Sequence, residues 1–397
     1  MGMTMFAQLP EAPIDPILGM AQAFARDPSP DKVDLGIGIY KDEHGEVIVL
    51  PTVKAAERAL VEGQSTKRYL SSAGNPEYNE RTRGLLFREG SDAHARARTI
   101  QTVGGTGALR VAADFIGKFG TGKRIFLPDP TWANHPAIFG VAGFEIVNYP
   151  YYDIATGTLK LDEMMSALAD LRAGDTVLLH GCCHNPSGAD PSAAQWAEIA
   201  DAVARSGATP LVDLAYLGFA EGLEEDRQGL AILAERLPEM IVASSCSKNF
   251  ALYRERTGAL TVVGANPGQA DTALGNLLPV VRTNYSMPPD HGAAIVAHIL
   301  GDATLRATWE QELAAMRNRI RDMRHELVRL LSGNNRRDYS FLAGQHGMFA
   351  MLGISGDAVR RLREEWHVHV TGSSRANIAG LTPRNVEHVA QAIAAVS

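Results

Sequence analysis

Cysteine is scarce. Cys182, Cys183 and Cys246 are the only three in 397 residues, too few and too oddly spaced for a disulfide framework, which points to a reducing, cytoplasmic setting. Positive charge is not in excess either: Lys+Arg total 38 against Asp+Glu 45, a formal charge of −7, so there is no basic stripe for nucleic acid. No stretch approaches the roughly 18 apolar residues of a membrane helix. The N-terminus has no basic region ahead of an apolar one, and its first charge is Glu11, so neither insertion nor export is expected. Glycine-rich turns are present, but none is followed by G-K-[ST], and the full G-x-G-x-x-G dinucleotide pattern is missing. Ser245-Cys246-Ser247-Lys248 satisfies S-x-x-K, the nucleophile signature of penicillin-recognising serine hydrolases. The S-D-N and K-T-G tripeptides those enzymes need are absent.

What remains is an ordinary globular composition, 45% hydrophobic and 21% charged, in a chain long enough for two cores. Residues 1–14 are apolar and carry Pro10 and Pro13, which reads as an arm lying on a partner subunit. A helix begins at Pro16 and ends before Pro28; Val33 to Tyr40 reads as a strand interrupted by glycines. Between about 47 and 300, short apolar runs alternate with helical patterns. Residues 125–128, 145–149, 177–183, 210–213, 240–244 and 259–263 read as buried strands, with helices over 193–206 and 230–236. That alternation predicts an α/β fold with a mostly parallel central sheet, its ligands gathering at the strands' carboxyl ends. Residues 153–171 read as a hairpin followed by a helix. Apolar positions spaced by three and four over 302–333, from Leu305 through Trp309 to Leu330, predict one long amphipathic helix closed by Gly333. Short strands over 349–352, 368–371 and 377–379 complete a smaller α+β unit. The domain plan is an arm over 1–14, a small domain over 15–46 with 315–397, and a large domain over 47–314.

Three features carry chemistry. Gly104-Gly105-Thr106-Gly107 opens a helix, where exposed N–H groups and the positive dipole end suit a phosphate. Asp213 ends a buried strand, with Tyr216 three residues on; a carboxylate there needs a cationic or hydrogen-bonding partner, such as the N–H of a protonated heteroaromatic ring. Lys248 follows the buried run 240–243, where desolvation favours the neutral amine and makes it a candidate nucleophile. Arg256, Arg282 and Arg375 stand in apolar or glycine-rich surroundings and offer planar forks for carboxylate or phosphate. The run His180-Gly181-Cys182-Cys183-His184 invites a metal reading. Adjacent cysteines cannot easily serve one tetrahedral site and no C-x-x-C supports it, so no metal is expected.

Taken in order, these segments resemble the class I pyridoxal-phosphate-dependent aminotransferases of the aspartate and aromatic amino acid type, of fold type I. The likeness runs nearly end to end, through Asp15-Pro16-Ile17-Leu18, Leu35 to Tyr40, Gly104 to Arg110, Asp129-Pro130-Thr131-Trp132 with Asn134-His135, His180 to Gly188, Asp213 to Phe219, Ser244 to Arg256, Asn284-Tyr285-Ser286 and Ser374-Arg375. The resemblance implies pyridoxal 5'-phosphate as cofactor, bound covalently by Lys248, which then moves the substrate's α proton. It implies that Asp213 holds the pyridine nitrogen protonated, that Tyr216 and Asn185 bond the phenolic oxygen, and that Trp132 stacks on the ring. It further implies that Gly105, Thr106, Ser245 and Arg256 bind the phosphate, with Tyr69 reaching it from the neighbouring subunit, and that His135 and His180 stand behind Asp213.

By the same resemblance Arg375, helped by backbone near Gly38, should take the substrate α-carboxylate, and Arg282 from the other subunit the distal one. A homodimer with shared active sites and cis peptides before Pro130 and Pro186 also follow. Some positions depart from the family pattern. Met287 follows Ser286, Val47 is apolar, Arg68 precedes Tyr69, and Ala133 replaces a usual proline, which should loosen its loop. Lys41 and Thr106 look aspartate-like. A more apolar pocket edge lowers the cost of burying a phenyl ring, worth about 1.5–3 kcal/mol when complete. The expected activity is transfer of the amino group of aspartate, tyrosine or phenylalanine to 2-oxoglutarate by a ping-pong cycle. A strict aspartate enzyme is the alternative, and the serine hydrolase the alternative of another class.

Overall fold

The computed structural model describes residues 4–11, 16–333 and 337–397. Its centre is a seven-stranded sheet built from β1 (Ala97–Val103), β2 (Arg124–Asp129), β3 (Glu145–Pro150), β4 (Thr176–His180), β5 (Thr209–Leu214), β6 (Met240–Ser245) and β7 (Thr257–Val263). The spatial order is β1-β7-β6-β5-β4-β2-β3, and β7 alone runs antiparallel to its neighbours. Strands β4, β6 and β7 are buried along their whole length, as expected of a sheet covered by helices on both faces. The reversal of β7 matters for the site. It brings the beginning of β7, with Arg256 just before it, to the same edge where the parallel strands end.

The expected strands over 125–128, 145–149, 210–213, 240–244 and 259–263 are all present, with ends moved by at most two residues. The run over 177–183 forms strand only to His180, and Gly181 to Cys183 turn away. Strand β1 had no apolar signature. Its Arg98, Thr99, Gln101 and Thr102 are tolerated because they find partners: Thr99 and Thr261 share a hydrogen bond of 2.8 Å across the β1–β7 pair, and Gln101 accepts the Asn75 N–H at 2.9 Å. Of Val33 to Tyr40 only Val33–Asp34 is strand, paired in parallel with Val368–His369. The last short strand is Arg375–Asn377 rather than 377–379, paired with Phe349–Met351, so Arg375 lies inside a strand. The segment 153–171 is the hairpin and helix anticipated. Within Asp15-Pro16-Ile17-Leu18, Asp15 lies outside the described residues; from Pro16 a helix runs to Arg26. Of the N-terminal arm, residues 4–11 are exposed.

The long helix spans Ala303–Leu331, capped by the Asp302 side chain, which accepts the Thr304 and Leu305 N–H groups. It buries Trp309, Leu313, Met316, Ile320 and Leu327 as the spacing predicts, and also Arg324, which no apolar pattern could reveal. Trp309 ties this helix to the lysine segment. Its indole stacks on Phe250 at 4.3 Å and its Nε1–H donates to the Asn249 carbonyl at 2.8 Å. Trp309→Ala therefore removes a fully buried ring and an orienting hydrogen bond together. A loss of about 3–5 kcal/mol in unfolding free energy is expected, read from the urea midpoint, with no comparable change for Arg306→Ala on the same helix's exposed face.

Candidate active site

The carboxyl ends of β4, β5 and β6 and the beginning of the helix Gly104–Phe119 surround a cavity of about 220 Å³. It brings together the expected Gly105, Thr106, Trp132, Asn185, Asp213 and Tyr216. Ser245, Lys248 and Arg256 line it as well. Gly38 and Arg375 stand beside it, while Tyr69 is 93% exposed and Arg282 is also exposed. Neither Tyr69 nor Arg282 lines the cavity of its own chain.

At one end the surroundings are electropositive. No side chain caps the first turn of the helix Gly104–Phe119, so its N–H groups stay available to an anion. Register brings the other members in: Thr257 faces Val103 and Gly258 faces Ser245. A Cβ on Gly258 would sit 2.4 Å from the Gly104 carbonyl carbon, so glycine is required for the two backbones to meet. Arg256 has φ +51° and donates to the Tyr253 carbonyl at 2.9 Å, leaving the rest of its fork toward the Gly104 turn. The Ser245 hydroxyl donates to Ser247 at 3.0 Å rather than to Lys248, an arrangement unlike an activated serine.

At the other end Asp213 is held by a relay. Since a backbone N–H can only donate, Asn185 N–H to His180 Nδ1 at 3.4 Å leaves the His180 proton on Nε2. That proton goes to Thr131 Oγ1 at 3.2 Å, the Thr131 hydroxyl donates to His135 Nδ1 at 2.8 Å, and His135 Nε2–H donates to Asp213 Oδ2 at 3.0 Å. Burial, the largest cause, pushes His180 down to about 3, so it stays neutral as the relay requires. Burial alone would raise the Asp213 carboxyl; the His135 bond and the charge on Lys248 outweigh it and hold it below its ordinary value. Asp213 is thus an ionised acceptor. The sequence placed both histidines here but not the role of Thr131.

Lys248 lies three residues beyond β6, its amine 5.0 Å from the centre of the Tyr216 ring. Burial lowers it to about 8; Asp213 opposes the shift, while Arg256 and Arg375 add to it. Arg375 Nη2 donates to the Gly36 carbonyl at 2.8 Å and Nη1 to Asn185 Oδ1 at 3.2 Å, and the guanidinium lies 4.2 Å over the Phe349 ring. Its Nε is buried without a partner, and among the described residues no carboxylate pairs with it. Gly38 packs on the far edge of Phe349, where a Cβ would come within 2.6 Å of Cζ. Phe349 was legible only as a strand residue. Its place under Arg375 is tertiary.

The metal reading has a structural counterpart: Cys182, Cys183 and Asp226 offer ligand atoms within 4.8 Å of one another. Asp226 is already engaged, accepting N–H bonds from Gly218, Ala220, Glu221 and Gly222. Both thiols are pushed up, Cys182 first by its bond with Cys183 and then by burial, Cys183 by burial to about 12. The His180 and His184 rings lie 4.4 Å apart, tilted by 48°, with His184 Nδ1 on Ser187. The peptides before Pro130 and Pro186 are both cis.

The donor set fits pyridoxal phosphate: a guanidinium, hydroxyls and a helix N-terminus at one end, a carboxylate at the other, a desolvated amine between. The family model of the class I and II aminotransferases matches residues 30–393. The chain is 50% identical to an aspartate aminotransferase of Escherichia coli (strain K12) over 99% of its own length and 100% of that protein's. It is 43% identical to an aromatic-amino-acid aminotransferase of Pseudomonas aeruginosa, covering 99% of each. Its structure superposes with a TM-score of 0.97 on an aromatic-amino-acid aminotransferase from Burkholderia pseudomallei covalently bound to pyridoxal phosphate, at 43% identity over 99% of this chain and 100% of that one. The score is 0.95 against the cytoplasmic aspartate aminotransferase of Saccharomyces cerevisiae, at 36% identity over 99% and 98%. A buried amine, a relay-held carboxylate and an anion-ready helix end in one cavity thus coincide with kinship over the whole chain, and the protein belongs to the class I and II aminotransferases of fold type I, enzymes dependent on pyridoxal phosphate.

Proposed function

We propose that this enzyme transfers the amino group of aspartate and of aromatic amino acids to 2-oxoglutarate. The observation that carries the reading is Arg375, a buried cation without a carboxylate partner, beside a desolvated Lys248. A charge kept unpaired in such a place is stabilised when a substrate carboxylate arrives. The bidentate fork then orients the amino acid with its α carbon toward Lys248. The cofactor, when bound, supplies a ring that takes up the electron pair left as the α C–H bond breaks. Lys248, whose amine burial lowers to about 8, would accept that proton at Nζ and give it back to the reacting skeleton. Asp213, ionised through His135, would keep a proton on the cofactor's ring nitrogen. Arg256, Ser245, Thr106 and the Gly105 N–H would hold its phosphate, Tyr216 and Asn185 its phenolic oxygen, and Trp132 would cover its ring.

A homodimer completes the site in this reading. Tyr69, Arg282 and Val47 all face outward from the single chain, as do Met5, Phe6 and Leu9 of the arm. A partner's Tyr69 would reach the phosphate, and its Arg282 the distal carboxylate of aspartate. The proposed division is the arm over 1–14, a small domain of 15–46 with 315–397, and a large domain of 47–314. A cytoplasmic setting accords with three free, buried cysteines; no helix among the described residues is long and apolar enough to cross a membrane.

Relatives named for both aspartate and aromatic substrates lie at similar identity. With 2-oxoglutarate as acceptor, kcat/KM for aspartate and phenylalanine is expected to agree within about 10⁴-fold. A wider gap in either direction would defeat dual use and leave a single-class enzyme.

A further inference from the structure

The loop that presents Asn185 is tied by a side chain that does not line the cavity, and we propose that Asp190 is a positioning residue for the carboxylate pocket. Its two oxygens hold the backbone of Cys183 and His184 so that the Asn185 side chain meets Arg375. This rests on the reading of Asn185 as a cofactor and substrate contact.

Asp190 Oδ2 accepts the Cys183 N–H at 2.7 Å and Oδ1 accepts the His184 N–H at 2.9 Å. Burial raises the Asp190 carboxyl to about 6 against the pull of these two bonds, so above that pH it is ionised and both are charge-assisted, stronger than neutral ones. They grip the chain where it needs holding, since Cys183 sits at φ +52°, a left-handed conformation that a non-glycine residue keeps only when its surroundings impose it. Two residues on, Asn185 Oδ1 receives Arg375 Nη1 at 3.2 Å while its backbone N–H reaches His180. The loop closes with the Gly188 N–H on the His184 carbonyl and the His346 N–H on the Gly188 carbonyl, each at 2.7 Å. His346 leads directly into Phe349, the ring under Arg375. Both walls of the carboxylate pocket therefore hang on one frame, and Asp190 fastens the end of it nearest Asn185. A residue contributing only stability would not transmit its loss to Asn185.

The holoenzyme of Asp190→Asn is compared with wild type and with Asp175→Asn. Asp175 is also a buried carboxylate bonded to backbone, accepting the Arg172 N–H at 2.8 Å and pairing with Arg124, but at the amino end of β4. Asp190→Asn is expected to raise KM for aspartate about tenfold, the worth of one hydrogen bond to a charged group, with a smaller fall in kcat. It should also move the midpoint of the cofactor's pH-dependent colour change upward by about half a unit or more, because Asn185 no longer favours the deprotonated form. Asp175→Asn should lower the urea midpoint and move neither. A variant that is merely less stable, with wild-type KM and colour midpoint, overturns the proposal. Asn185→Ala, measured alongside, separates the failures: if it shifts both readouts and Asp190→Asn shifts neither, positioning alone is wrong; if it shifts neither, the role of Asn185 falls and the proposal with it. Should Asp190→Asn not fold, Asp190→Glu keeps the charge and displaces the oxygens by one methylene. The same two shifts, smaller in size, are expected of it, and their absence is equally decisive against the proposal.

Discussion

Lys248→Ala is expected to lower kcat by about 10⁴- to 10⁶-fold, the usual scale for losing the group that performs the covalent and proton-transfer work. The physical reason is position. Lys248 sits in a cavity where burial brings its amine to about 8, and Asp213 alone opposes that shift. In the proposed cycle water cannot substitute, because the lysine would both hold the cofactor and stand where the α proton leaves. Removing a desolvated amine relieves a cost of burial, so the variant is expected to fold as well as wild type or slightly better. A single-turnover assay with aspartate, together with a urea midpoint, checks both statements. Near-normal turnover would move the catalytic role to another base.

Arg375→Ala is the second large effect. Truncating one partner of a buried charged pair costs about 3–5 kcal/mol, or about 10²- to 10⁴-fold in kcat/KM. The loss should be of similar size for aspartate and phenylalanine, since both present the same α-carboxylate. Arg375→Lys retains the charge but not the fork, so it recovers only part of the loss. Arg282→Ala makes the contrast: its cost should fall on aspartate and spare phenylalanine. Steady-state kinetics on the two substrates with each variant separate these roles. Equal sensitivity of both substrates to Arg282→Ala would refute its assignment to the distal carboxylate.

Much of this was legible in residue order. Buried parallel strands announce themselves as short apolar runs, and five of the six expected ones lie within two residues of their observed bounds. Strand β1 escaped because its polar residues are satisfied by Thr261, Asn75 and Pro289, partners between 26 and 188 residues away. Arg324 escaped for the same reason; its Nη2 is bonded to the Gly347 and Phe349 carbonyls, so a cation sits on the buried face of a helix. In the site, Lys248 and Asp213 could be found because each lies at or just past the end of an apolar strand run, and the glycine turn because it opens a helix with an apolar face. Phe349 and Thr131 could not: the one acts through Arg375 from the strand paired with Arg375's own, the other through two histidines. Residues whose function lies in what they touch need the fold before they can be read. Tyr69 and Arg282 are a further case, since their proposed targets lie in another copy of the chain.

The account turns on a covalent bond between Lys248 and the cofactor. Pyridoxal phosphate is added to the purified protein, the bond is fixed by hydride reduction, and the digested peptides are weighed. The added mass should lie on the peptide containing Lys248, at one per chain, and be absent from Lys248→Ala. Finding it on another lysine, or on none, would contradict the account.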